Sequence, residues 1–154
     1  MTPEDRLKEL GLALPPAPVP VGSYVPAVRT GNLVFVSGQL PMRDGHLMAT
    51  GKVGAEVSLE TARACARQAA LNALAVAAAE AGGLARITRI VRLTGHVASA
   101  PGFTDQAKVM NAASDLVAEI FIGDAGRHSR AALGAAELPL GAPIELEMIA
   151  EVGT

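Results

Sequence analysis

Tryptophan is absent from this chain of 154 residues, Tyr24 is the only tyrosine, and aromatics make up 3% of a sequence that is half hydrophobic. A core of that composition is filled by Ala, Val, Leu and Ile, so its elements must approach one another closely. The same shortage leaves little on which bases could stack. Thirteen Lys and Arg against 15 Asp and Glu give a net charge of −2, without the basic stripe that phosphate backbones require. Nucleic acid is therefore not an expected partner.

Cys65 is the only cysteine, which excludes an internal disulfide and a Cys-rich metal site. Its neighbours Ala62, Ala66 and Ala69 mark a packed helix face and hence a buried structural thiol rather than a nucleophile. His46, His96 and His128 are scattered without ligand spacing, so no metal site is expected. Apolar runs are broken by charge or Gly before membrane-spanning length, and Met1 to Leu7 lacks the basic-then-apolar pattern of a secretion signal. These features lead to the expectation of a cytoplasmic protein with no membrane partner.

The length fits one domain, and a domain of this size buries about 70% of its unfolded surface, so neither cofactor nor disulfide is needed for folding. Thr2, Pro3 and Asp5 predict a helix start, with Leu7, Leu10 and Leu12 as its apolar side near the Gly11 stop. The proline-rich run from Leu14 to Pro20 predicts an extended connector. Residues 1–20 are thus read as a helix and connector ahead of a core spanning 22–152.

Within the core, strands are predicted from Tyr24 to Arg29 and from Leu33 to Ser37, joined by Thr30-Gly31-Asn32, with another turn at Asp44-Gly45. Gly51 and Gly54 predict irregular chain. Ser58 caps a helix reaching Ala81, ended by Gly82-Gly83, with Ala62, Cys65, Ala69, Ala73 and Val76 on one face. Ile87 to Val97 predicts a strand with Val91, Leu93 and Val97 on one side and Arg92, Thr94 and His96 on the other. A second helix is predicted from Phe103 to Phe121, its core stripe Phe103, Ala107, Met110, Val117 and Phe121, followed by two more strands. This order predicts an α+β fold, two helices on one face of a mixed sheet. Val36, Leu93 and Leu133 alternate with small or polar residues, and the uncovered face of such a sheet must be solvated or paired.

The last strands carry the most specific pattern. Gly126-Arg127-His128-Ser129-Arg130-Ala131-Ala132-Leu133 precedes Glu137-Leu138-Pro139-Leu140-Gly141 and Ile144-Glu145-Leu146-Glu147. A guanidinium that never loses its proton, close in sequence to potential bases, suits a small carboxylate-bearing ligand. This stretch, with Val34-Phe35-Val36-Ser37-Gly38-Gln39-Leu40-Pro41 about ninety residues earlier, resembles the YjgF, or reactive intermediate deaminase, family. The resemblance covers most of Gly22 to Glu151, with Met42 to Val57 loosely matched.

The resemblance implies a chorismate mutase-like fold assembled as a homotrimer with ligand clefts between subunits. It implies that Arg130 holds the substrate carboxylate and that Glu145 positions or deprotonates the attacking water. It also implies a cleft lined by Tyr24, Ser37, Gly38, Asn111 and Ala132. Tyr24 equally fits a packing role and Asn111 a solvated helix surface, while Arg127 is read as a solvated loop charge. Ala132 stands where the family often has Cys, which alters substrate choice if that thiol tunes the pocket and little if only the backbone takes part, and His128-Ser129 replaces the family's usual Pro-Ala, so the family's pocket shape does not carry over directly. Some members carry an endoribonuclease label, which the charge balance does not favour.

A simple hairpin around Pro139 would pair Arg130 near Ala150, about 16 Å along the strand from Glu145. One chain would then not join the two groups, which favours a site completed across a subunit boundary. The expected function is hydrolysis of reactive enamines or imines to 2-keto acids and ammonia without a cofactor. The alternatives are a non-catalytic trimeric sensor of small carboxylates and, by fold analogy, chorismate mutase chemistry.

Overall fold

The computed structural model describes residues 1–153. A short helix α1 (Pro3–Glu9) starts at Thr2, whose side chain accepts from the Asp5 N–H while the Asp5 carboxylate accepts from the Thr2 N–H. This reciprocal pair satisfies two otherwise unbonded donors. Leu7 is buried, Leu10, Leu12 and Leu14 pack on the core, and Arg6 Nε donates to the Glu119 carbonyl at 2.8 Å, tying α1 to the later helix. The connector that follows has no regular structure.

Strands β1 (Ala27–Thr30) and β2 (Leu33–Gln39) form a hairpin whose two-residue loop, Gly31-Asn32, has Gly31 at φ 57°. β1 begins three residues later than the sequence predicts, because Tyr24 to Pro26 bend away ahead of the ladder, and Pro26 has no N–H to add to it. Strands β3 (Met42–Arg43) and β4 (His46–Leu47) flank Asp44-Gly45, both at positive φ as a tight hairpin turn requires.

Helix α2 (Leu59–Ala81) has the predicted limits, with Ser58 Oγ accepting from the Thr61 N–H and Gly82 closing the helix in the left-handed region. Its alanine-rich run is buried nearly all round from Ala69 to Ala78, wider than the single face expected, because α3 and the sheet both cover it. The buried Asn72 Nδ2 donates to the carbonyls of Leu40 and Met42, pinning the chain after β2 to this helix.

Strand β5 (Ile87–Ala98) carries a bulge at Val91, between the pairs Ile90↔Ala150 and Arg92↔Ile149. Ile90 rather than Val91 is therefore the buried residue, while Leu93 and Val97 keep the predicted inward face. Helix α3 (Gln106–Ile120) starts three residues after Phe103 and buries Val109, Met110, Ala113, Leu116, Val117 and Ile120. Ala107 is exposed rather than part of the stripe, since it lies in the first turn, short of the sheet.

Strands β6 (Ser129–Ala135) and β7 (Ile144–Val152) do not form a hairpin. A 3₁₀ turn at Pro139–Gly141 carries the chain across β5, so that β6 pairs with β5 in parallel and β7 runs antiparallel between β5 and β2. The sheet order is β1-β2-β7-β5-β6, a mixed sheet with α2 and α3 on one face. Leu133 points away from the helices and is 49% exposed, as are Phe35 and Val28 at 42% and 53%. No helix among the described residues is long and apolar enough to cross a membrane.

Candidate active site

Register divides the predicted site residues into two groups. On the open face of the sheet, β7 presents Glu145 and Glu147, which pair in register with His96 and Thr94 of β5. His96 Nε2 lies 2.7 Å from Glu147 Oε2. Burial pushes the Glu145 carboxyl above its ordinary range, the neighbouring Glu147 charge adds to this, and His96 opposes it.

Glu145 lies directly over Gly38, where a Cβ would sit 2.8 Å from Glu145 Cδ and 3.1 Å from Oε2. β2 makes room for it through an irregularity between Val36 and Gln39. Ser37 donates its hydroxyl to the Val25 carbonyl at 2.7 Å and its N–H to the Pro26 carbonyl at 2.9 Å, fixing the segment that carries Tyr24. The Tyr24 hydroxyl accepts from the Val21 N–H, and Tyr24 lines a narrow cleft of about 30 Å³ with Gly38, Pro26 and Leu40. One chain thus joins Tyr24, Ser37, Gly38 and Glu145.

The second group lies on the helix side. Arg130 pairs with the inward-facing Leu93, and its Nη1 donates to Asn111 Oδ1 at 2.8 Å and to Ser114 Oγ at 3.1 Å, both on α3. Ser114 Oγ is also 2.9 Å from His128 Nε2, and His128 Nδ1 is 2.8 Å from the Gly126 carbonyl. Ala132, two residues along β6, packs against the core on the same side. Arg127 is exposed and 3.6 Å from Asp124.

Arg130, Leu93 and Met148 stand level across three strands, and Glu145 is three residues further along β7. Two strand spacings and three residues separate the Cα atoms by about 14 Å, and the side chains leave opposite faces of the sheet. The hairpin geometry expected from the sequence is corrected, but the separation it implied remains. The sequence does not single out His96 or Ser114 as site residues. Ser114 follows Asn111 by three residues, so helical spacing could have found it; His96 becomes a neighbour of Glu145 only through nonlocal pairing.

Among the described residues, no group of three or more His, Cys, Asp and Glu is arranged to hold a metal ion. A larger, mostly apolar groove of about 610 Å³ between α1 and the end of α2 contains none of the candidate residues.

The family described as "YjgF/chorismate mutase-like, putative endoribonuclease" matches residues 4–152. The chain is 41% identical over 147 residues to protein TCP17 of Trypanosoma cruzi, covering 96% of this chain and 92% of that one. It is 32% identical over 139 residues to a 2-iminobutanoate/2-iminopropanoate deaminase of Dermatophagoides farinae, covering 90% and 92%. A crystal structure of an Agrobacterium tumefaciens protein of unknown function is similar at a TM-score of 0.88 and 45% identity, covering 99% and 93%.

Proposed function

The chain belongs to the YjgF/chorismate mutase-like family, and from that premise we propose that it hydrolyses reactive enamines or imines to 2-keto acids and ammonia, in clefts between the subunits of a homotrimer. The observation that carries this reading is the division of the chemistry between the two faces of one sheet. Arg130, an anchor for a carboxylate, is held on the helix side at the β6 edge. Glu145, an elevated carboxyl suited to proton transfer, lies over Gly38 on the open side. A second copy set against the open face would bring one subunit's Arg130 edge toward its neighbour's Glu145 and Gly38. It would also cover the exposed Phe35, Val28 and Leu133. The 32% identity to an imine deaminase supports the same chemistry.

In this mechanism the Arg130 guanidinium binds the substrate carboxylate, and backbone groups near Gly38 and Ala132 orient the imine. Glu145 takes a proton from water as the water oxygen bonds to the iminium carbon. The resulting carbinolamine receives that proton on nitrogen, Glu145 takes the hydroxyl proton as the carbon–nitrogen bond breaks and the carbonyl forms, and that proton passes to the departing ammonia, so that the keto acid and ammonium leave. A protonated imine is already electrophilic, so the step requires no cofactor. Incubating the purified protein with freshly generated iminopropionate and following ammonia release tests the reading; release at the buffer rate would refute it.

A further inference from the structure

We propose that His128 and Ser114 form a positioning relay that selects which edge of the Arg130 guanidinium meets a ligand. The inference rests on the reading of Arg130 as the carboxylate anchor and assigns a role to the His128 that distinguishes this chain from the family pattern. The Gly126 carbonyl can only accept, so His128 Nδ1, 2.8 Å away, carries the ring proton. When the ring carries only that proton, Nε2 is an acceptor, and the Ser114 hydroxyl 2.9 Å away donates to it. That commitment turns the Ser114 lone pairs toward Arg130 Nη1 at 3.1 Å, while Asn111 Oδ1 takes the other Nη1 proton at 2.8 Å.

With both protons of Nη1 engaged, the Nη1–Nη2 end of the guanidinium cannot clasp a carboxylate. The Nε–Nη2 side remains as the only edge with two parallel donors. The relay starts from a rigid point: Gly126 is buried in the 3₁₀ turn Gly123–Gly126, and a Cβ there would collide with the Phe121 carbonyl. The carbonyl that fixes the imidazole is itself fixed, and orientation passes from the turn to the imidazole, the hydroxyl and the guanidinium. His128 and Ser114 are positioning residues, acting on the ligand only through Arg130.

The test is calorimetric titration of the 154-residue chain with pyruvate, a stable planar keto acid, alongside Arg130→Ala, Ser114→Ala, Ser114→Thr, His128→Phe and the Ser114→Ala/His128→Phe double variant. Thermal unfolding selects variants that remain folded. Arg130→Ala should abolish measurable binding. Ser114→Ala and His128→Phe should each raise Kd about five- to tenfold, the double variant no more than either single, and Ser114→Thr, which keeps the hydroxyl, should restore affinity. Nitrogen-15 NMR of the labelled imidazole should show the proton on Nδ1. Binding that survives Arg130→Ala would remove the anchor reading itself. Binding lost in Arg130→Ala but unchanged in His128→Phe, additive losses in the double variant, or a proton on Nε2 would overturn the relay alone.

Discussion

The Glu145 carboxyl rests against the Gly38 backbone so closely that a methyl on Gly38 would meet Glu145 Cδ at 2.8 Å. Gly38 therefore matters for the room it leaves as well as for any backbone contact with a ligand. Gly38→Ala should displace the carboxyl, while the fold tolerates the change because the obstructing atoms end a flexible side chain. The expected result is an unfolding midpoint within a few degrees of wild type and a kcat/KM lower by on the order of 10- to 100-fold, the usual consequence of shifting a catalytic group by about 1 Å. Steady-state kinetics and calorimetry on the same sample check both halves.

Glu145→Gln keeps the size and hydrogen bonding of the side chain but removes its ability to accept a proton from water. Imine hydrolysis should slow by roughly 10²- to 10⁴-fold, with affinity for a stable keto acid little changed. Should the wild type turn over no imine yet bind keto acids through Arg130, the protein is a sensor of small carboxylates.

The raised Glu145 carboxyl also fixes the sign of two pH effects. As a base it must be ionised, so kcat/KM should fall with acidification through a value above the ordinary carboxylate range. For stability the sign is the reverse. A carboxyl that binds its proton more tightly when folded favours the fold most below its unfolded pKa, and this contribution is lost as pH rises through the folded value. Glu145→Gln should therefore gain in melting temperature relative to wild type at pH 8 and lose that advantage at pH 4.

Arg130→Lys replaces a fork with a point charge and should cost on the order of 2 to 5 kcal/mol of ligand affinity. Pairing it with Glu145→Gln tests the shared cleft. If each cleft takes Arg130 from one subunit and Glu145 from its neighbour, randomly mixed trimers of the two inactive variants should regain about a quarter of wild-type activity, since one cleft in four is then intact. Native mass spectrometry confirms the mixing; mixed trimers without recovery would place both groups in one subunit's site.

Burial pushes the Cys65 thiol up to about 11, so at neutral pH it is almost entirely protonated. In the native protein it should resist alkylation by iodoacetamide for hours at pH 8, then react within minutes in denaturant, as followed by intact mass.

Local signals in the sequence anticipated local structure. Ser58 and Gly82 bound α2, Asp44-Gly45 makes its turn, and Thr2 with Asp5 starts α1, because caps and turns are satisfied by residues within about four positions of one another. Alternation in β7 likewise put Glu145 and Glu147 on one face. What the sequence alone determined, then, was the longer helices and strands, their order, and the charged residues each presents; the two-residue strands β3 and β4 showed only as the turn between them. Tertiary structure decided the rest: β5 enters between β6 and β7, the Val91 bulge shifts its register, Arg130 turns to α3, and Glu145 lies over Gly38 beside His96. Strand neighbours are chosen by how whole apolar faces bury against α2 and α3, a nonlocal sum that no short motif around Arg130 or Glu145 contains.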